Sequence, residues 1–239
     1  MESEFESQIA AERERILAES SRRRRQVSPD LYAPWRPDML LGNLLVHSAA
    51  IKMLHRAGVF PKAGDPCLEV GYGRRGWLGA LIEWGMRETD LHGLDIDPVA
   101  AKHTQEILPM ADLRVGNAIE LPWDRNTFRL VITSLLFTSI LDPTVRRLVA
   151  DEITRVLAPG GALLCYDFAF NNPRNPNVRK LGKKELMSLF PSLKGAVKSV
   201  ELAPPLSRLV APRSMTLAFL LERIPLLRTH FAAVLVKSS

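Results

Sequence analysis

The chain has 239 residues, 46% of them hydrophobic and 24% charged, with a formal net charge of +6. That length suits one domain with some decoration, and the balance excludes wholesale disorder and fibrous folds. No apolar run approaches the roughly 20 residues of a membrane span; the best stretch, Leu130 to Leu141, is broken by Thr133, Ser134, Thr138 and Ser139.

The opening MESEFESQ is acidic and has no apolar core, so a cytoplasmic location is expected. Cys67 and Cys165 lie in apolar segments without metal-ligand spacing, and no metal is expected. From Asn171 onward there are 12 Lys/Arg against 3 Asp/Glu, while the remainder holds 20 basic and 23 acidic residues. A basic C-terminal third favours an anionic partner or is simply a solvated cationic face.

Residues 2–25 read as a polar helix with Glu and Arg three or four apart and a thin apolar stripe of Phe5, Ile9, Ile16 and Leu17. Six Arg against six Glu cancel there, which favours an arm or lid over a nucleic-acid tail. Pro29, Pro34 and Pro37 mark a loop, and a helix follows from about Asp38 to Arg56, closed by Gly58. From Asp65 short buried strands alternate with helices: strands at 67–70, 91–94, 111–115, 128–133 and 161–168, and helices at 77–84, 98–107 and 143–157. The last helix is signalled by Asp142 as cap and Pro143 at its first position. Such alternation predicts an α/β, doubly wound, mostly parallel sheet. After Asn171 come the loop NNPRNPN, a short helix at 183–190, a strand at 196–202, a Pro-rich connection, a helix around 215–223 and a last strand, HFAAVLV. An antiparallel strand is therefore expected at the end of the sheet. The division expected is a helical arm over residues 1–60 and an α/β domain over 61–239.

The strongest local feature is CLEVGYGRRGWLGAL, where an apolar strand ends in Glu69-Val70 and the chain turns through Gly71, Gly73 and Gly76 into a helix. Glycines suit a tight turn and close approach of backbone to a ligand. Alone, the pattern also fits a dinucleotide fingerprint, with Asp95 about 20 positions on. Asp95 ends the second strand, where its carboxylate can accept from two ribose hydroxyls. The third strand ends in GNA, which puts Asn117 at the edge of a purine. The order E-x-G-x-G, D-x-D, G-N-A, P-W-x-x-x-x-F-x-L-V and L-x-P-G-G is not the punctuation of a dinucleotide enzyme.

This order resembles the class I S-adenosylmethionine-dependent methyltransferases, in particular small-molecule enzymes with the type 11 domain, over about residues 65–168. Two departures are visible: Arg75 stands where the family usually has its third glycine, and Asn117 where it usually has Asp. The later segments look like a bacterial subgroup linked to glycan or secondary-metabolite pathways. The resemblance implies a seven-stranded Rossmann-like sheet with S-adenosyl-L-methionine across its C-terminal edge. By position, Glu69, Gly71 and Gly73 would frame the amino-acid end, Asp95 the ribose, and Ile96, Asn117 and Ala118 the adenine. Thr133 and Ser134 would stand near the methyl group or merely cap a strand.

A hydroxyl acceptor would need a base, for which Asp167 and His230 are the candidates. His47 and His55, on the N-terminal helix, are weaker. The chain reads TSLLF after the fourth strand, without the Pro-Pro-aromatic signature of nucleobase amino-methylation, and no Tyr-x-x-x-Lys pair of short-chain dehydrogenases is present. The first reading is thus methyl transfer to a hydroxyl of a sugar, glycan precursor or natural product, with an anionic acceptor in view. In that reading residues 171–239 form the acceptor side and the N-terminal helix is a lid or a dimer arm. The alternatives are an RNA methyltransferase using the basic third, and a non-catalytic module that binds the cofactor.

Overall fold

The computed structural model describes residues 2–74, 76–172 and 175–238; Arg75 and the Pro173-Arg174 step of the Pro/Asn-rich loop lie outside them. Helix α1 (Glu2–Gln26) is held along its own surface by Glu12–Arg15 and Glu19–Arg22 pairs one turn apart, at 2.8 and 2.7 Å. Only a thin stripe, including Ile9 and Ile16, packs on the core. A short turn at Pro29–Tyr32 leads to α2 (Pro37–Arg56).

Strands and helices then alternate: β1 (Cys67–Val70), α3 (Leu78–Glu83), β2 (Leu91–Asp95), α4 (Pro98–Ile107), β3 (Asp112–Val115), β4 (Phe128–Ser134), α5 (Leu136–Ser139), α6 (Pro143–Val156) and β5 (Leu157–Phe168). The Asp142 carboxylate accepts from the amides of Thr144 and Val145, and Pro143 fills the first position of α6, as the sequence suggests. The chain ends with α7 (Lys183–Leu189), β6 (Leu193–Leu202), α8 (Pro204–Val210), α9 (Met215–Glu222) and β7 (Arg228–Lys237).

Seven strands form one sheet in the order β3-β2-β1-β4-β5-β7-β6. β1 to β5 are mutually parallel, and β7 runs antiparallel to both β5 and β6. The antiparallel strand is thus not at the end of the sheet: β7 is threaded between β5 and β6, and β6 is the edge. Two further differences have local causes. β5 starts at Leu157, ahead of the Pro-Gly-Gly turn, because Phe128 already pairs with Leu157 before the register shifts to Leu130–Ala162. Residues 204–210, read as a Pro-rich connection, form α8, since both prolines fall in its first turn where no intrahelical donor is needed.

The central strands are buried on both faces, which is why they read as short apolar runs. Alternate residues feed two cores. Cys67, Leu130, Ile132 and Leu164 face α2 and α3, while Leu68, Val70, Val131 and Leu163 face α6 and α7. A third, smaller cluster joins Leu41 of α2 to Leu202, Ala211 and Ala218. Among the described residues no helix is long and apolar enough to cross a membrane.

Candidate functional site

A cavity of about 650 Å³ opens at the C-terminal edge of the sheet, over the ends of β1, β2 and β4. Open α/β sheets bind ligands at this edge, where the direction of winding reverses. Leaving β1, the chain turns through Gly71 and Gly73 at φ +74° and +56°, left-handed values that a side chain would oppose. Both line the cavity, as do Asp95, Ile96, Asn117, Ala118 and Ser134.

Asp95 organises this edge. Its carboxylate accepts from the amide of Gly73 at 2.7 Å and of Asp97 at 2.8 Å, so one side chain fixes the glycine turn and the start of the next loop. Burial pushes its pKa above the usual carboxylate range, against the pull of those amides. The Asn117 side-chain oxygen accepts from its own turn, at Ile119, at 3.3 Å.

Glu69 stands just behind the lining. It is fully buried, and one carboxylate oxygen accepts from the amides of Trp77 and Leu78 at 2.7 and 3.1 Å, serving the open N-terminus of α3. Its other oxygen, Oε1, has no hydrogen-bond partner among the described residues. Burial drives this carboxyl up to about 8, with the two amides opposing and Asp95 adding to the rise. Gly76 also lines the cavity, and it makes room for Glu69 as well, because a Cβ there would lie 2.3 Å from Oε2.

β4 leaves the sheet through Leu135, which adopts φ +55° with no glycine to ease it. Its amide is pinned to the Tyr166 carbonyl at 2.8 Å and its carbonyl accepts from Ser139 Oγ at 2.9 Å. Strain of this kind persists where the surroundings over-determine it. Leu135 and Leu136 line the cavity beside Ser134, whereas Thr133 is fully buried and does not.

The two base candidates also stand outside this lining. Asp167 is fully buried and accepts from the amide and hydroxyl of Thr138 and from the amide of Phe168, which ties β5 to α5. Burial raises it to about 6. His230 stacks on Tyr166 at 5.2 Å, lies 3.4 Å from Glu201 and borders a second cavity of about 300 Å³. Burial lowers its pKa to about 3, so the ring is neutral at pH 7.

The N-terminal helix, for which the sequence leaves a lid or a dimer arm open, reaches this cavity. Arg15, Glu19, Ser20 and Arg24 of α1 line its mouth. The helix is bonded across that mouth at four places. Arg24 pairs with Asp97, which also accepts from Ser20 at 2.5 Å. Glu19 accepts from Asn177 at 2.9 Å, Arg15 donates to the Ser139 carbonyl at 2.5 Å, and Glu12 accepts from the Leu141 amide at 2.5 Å. For Asp97, burial alone would raise the pKa, but Ser20, the Val99 amide and Arg24 together hold it below its usual value.

The far rim, Asn177 and Val178, is anchored by Arg146. This guanidinium, 0% exposed, donates to the carbonyls of Ile140, Arg179 and Lys180 and pairs with Glu185 at 2.7 Å.

Comparison with known proteins agrees with this geometry. A family model described as a methyltransferase domain matches residues 67–161. The demethylmenaquinone methyltransferase of Bacillus mycoides is 31% identical over 111 residues, 44% of this chain and 46% of that protein. That of Lysinibacillus sphaericus is 32% identical over 136 residues, 54% and 56% of the two chains. The chain therefore spans about half the length of the curated relatives it matches. Among solved structures, a SAM-dependent methyltransferase from Methanosarcina mazei superposes with a TM-score of 0.57 at 17% identity, over 77% of this chain and 97% of that one. The geranyl diphosphate C-methyltransferase of Streptomyces coelicolor does so with 0.58 at 15%, over 81% and 79%. Residues 67–161 thus match a methyltransferase domain, and the fold of the chain is that of the class I S-adenosylmethionine-dependent methyltransferases.

Proposed function

We propose that the protein transfers a methyl group from S-adenosyl-L-methionine to a small or medium-sized acceptor inside the covered cavity. The observation that carries this reading is the convergence of Gly71, Gly73, Asp95 and Asn117 on one cavity at the switch point of the sheet. The residues present fit the cofactor. Glu69 Oε1 is a buried oxygen without a partner among the described residues, Asp95 presents a carboxylate at the end of β2, and the two glycines add no side chain to the approach. Glu69, Gly71 and Gly73 would hold the amino-acid end, Asp95 the ribose, and Ile96, Asn117 and Ala118 the adenine, with Ser134 toward the acceptor.

When bound, S-adenosyl-L-methionine supplies an already activated methyl group, so the chain's own residues mainly align the acceptor and exclude water. Helix α1 serves exclusion in this reading: it is a lid, and its bonds to Asp97, Asn177, Ser139 and Leu141 hold it shut. The names of the similar proteins, demethylmenaquinone and geranyl diphosphate methyltransferases, support a small-molecule acceptor. The finer proposal is a hydroxyl of a sugar, glycan precursor or natural product, supported by the polar rim of Ser139 and Asn177 and the basic residues after 171. With Asp167 and His230 outside the lining, alignment and desolvation carry the rate in this proposal, and neither residue is assigned the proton. Mass analysis of products from hydroxyl and carbon acceptors offered side by side tests it: a carbon-methylated product alone removes the hydroxyl assignment.

Two outcomes are expected for binding. Glu69 must be ionised to face a cationic ligand, yet its carboxyl holds its proton up to about pH 8 in the free protein. Affinity for S-adenosyl-L-methionine should therefore rise with pH, by up to about tenfold per unit below 8, and level off above it. Calorimetry on Glu69→Gln should lose that slope, and a wild-type affinity independent of Glu69 from pH 6 to 9 would remove the carboxyl from the site. For the lid, Arg24→Ala should speed release of S-adenosylhomocysteine several-fold with a smaller effect on its capture, read by stopped-flow fluorescence. Release at the wild-type rate would leave α1 without a latch at Asp97.

A further inference from the structure

The connection from β6 to β7 is built unlike the rest of the surface. Helices α8 and α9 and the turn at Pro225–Leu227 hold to the body through Ala211 and Ala218, which pack with Leu41 and Leu202. On the outer side stand Leu209, Leu217, Phe219, Leu220, Ile224 and Leu226, all exposed, the last by 93%. Scattered exposed apolar residues are ordinary, but these six and Met215, seven within 18 positions of one connection, are not. Helix α2 extends the surface: exposed Leu40 and Leu44 each precede a leucine, Leu41 or Leu45, that packs in the same cluster.

The charges around these side chains have one sign. Between residues 203 and 228 there are four arginines and one acid, Glu222. Glu222 is buried and paired with Arg228 at 3.2 Å, so among the described residues of this segment the exposed charges are all positive. Arg213 is exposed and bonded to the Leu209 carbonyl, and Arg223 lies 5.4 Å over the Phe219 ring. Arg208 sits 5.9 Å over the ring of Tyr32, which lines the main cavity, so this face adjoins the cavity mouth.

Protruding aliphatic side chains among arginines suit the boundary between headgroups and acyl chains, where apolar area is buried and cations meet anionic lipid. A second copy of the chain suits them less, since two-fold docking would set arginines against their own equivalents with no free acid to meet them. Single-stranded nucleic acid is read by aromatic stacking, and Phe219 is the one aromatic residue among the seven. We infer that this face docks peripherally on an anionic lipid bilayer, with α9 and the turn at 225–227 in the headgroup layer and the cavity opening alongside. The inference stands whatever reaction the cavity performs.

Sedimentation with vesicles tests it. The full chain should pellet with phosphatidylcholine vesicles containing about 30% phosphatidylglycerol, bind pure phosphatidylcholine at least tenfold more weakly, and be released by about 0.5 M salt. Leu220→Glu with Leu226→Glu, both at exposed positions, should lower binding at least tenfold while leaving the melting temperature unchanged. Arg213→Glu with Arg223→Glu should abolish the preference for anionic vesicles. A protein that stays in the supernatant with every vesicle overturns the inference. So does a Leu220/Leu226 variant that changes only the solution mass, which would make the face a self-contact, or a chain that binds RNA and not lipid through Arg213 and Arg223.

Discussion

Asp95→Ala is expected to lose S-adenosylhomocysteine binding by two to four powers of ten, measured by calorimetry. Two charge-assisted bonds to ribose hydroxyls contribute about 3–5 kcal/mol together, which converts to that range. The same carboxylate accepts from Gly73 and Asp97, so its removal also strips two amides of their partner and loosens the glycine turn. Asp95→Asn separates the effects. It keeps an acceptor for one amide and should retain the ligand-free melting temperature while still binding at least tenfold more weakly. Binding by Asp95→Ala within threefold of wild type would place the cofactor elsewhere.

The second large effect is on stability. Arg146→Ala should cost about 3–5 kcal/mol and lower the melting temperature by roughly 10 °C or more. The loss comes from the carbonyls of Ile140, Arg179 and Lys180, which share one buried guanidinium and would be left without a donor. Lysine should recover less than half of the loss, because an ammonium cannot fork toward three acceptors and Glu185 at once. Since the same contacts anchor Asn177 and Val178, any variant stable enough to assay should also show a raised KM for the acceptor. A melting temperature within 2 °C of wild type would mean that water replaces the guanidinium without loss.

Much of this was legible in the sequence, for definite reasons. The central strands are buried on both faces and so appear as short apolar runs, and β1 was bounded to the residue. The cap at Asp142 and the glycine turn after β1 are local chemistry and survive intact. The sequence leaves α1 as a lid or a dimer arm, and its contacts were not legible. Its latches join residues far apart in the chain, Arg24 to Asp97 and Glu19 to Asn177, and a helix whose charges cancel announces no destination. The strain at Leu135 had no local sign either, since leucine is not a residue that favours left-handed backbone. That Asp167 and His230, the candidate bases, stand outside the cavity lining had no local sign for a related reason: strand parity fixes the face a side chain takes, but not which helix waits there. At Gly76 the sequence suggests close approach of a ligand, and the structure adds a second neighbour, a carboxylate of the chain itself.

The place of β7 bears on how the molecule is made. β6 precedes β7 in the chain, yet in the finished sheet its only neighbour is β7. During synthesis β5 and β6 therefore emerge with their facing edges empty, and neither can be satisfied by the other without excluding the strand still to come. Unpaired edges of this kind are where nascent chains aggregate. Until the 25 residues between β6 and β7 have brought β7 into place, a partly folded chain presents two adhesive edges in place of one ordered sheet.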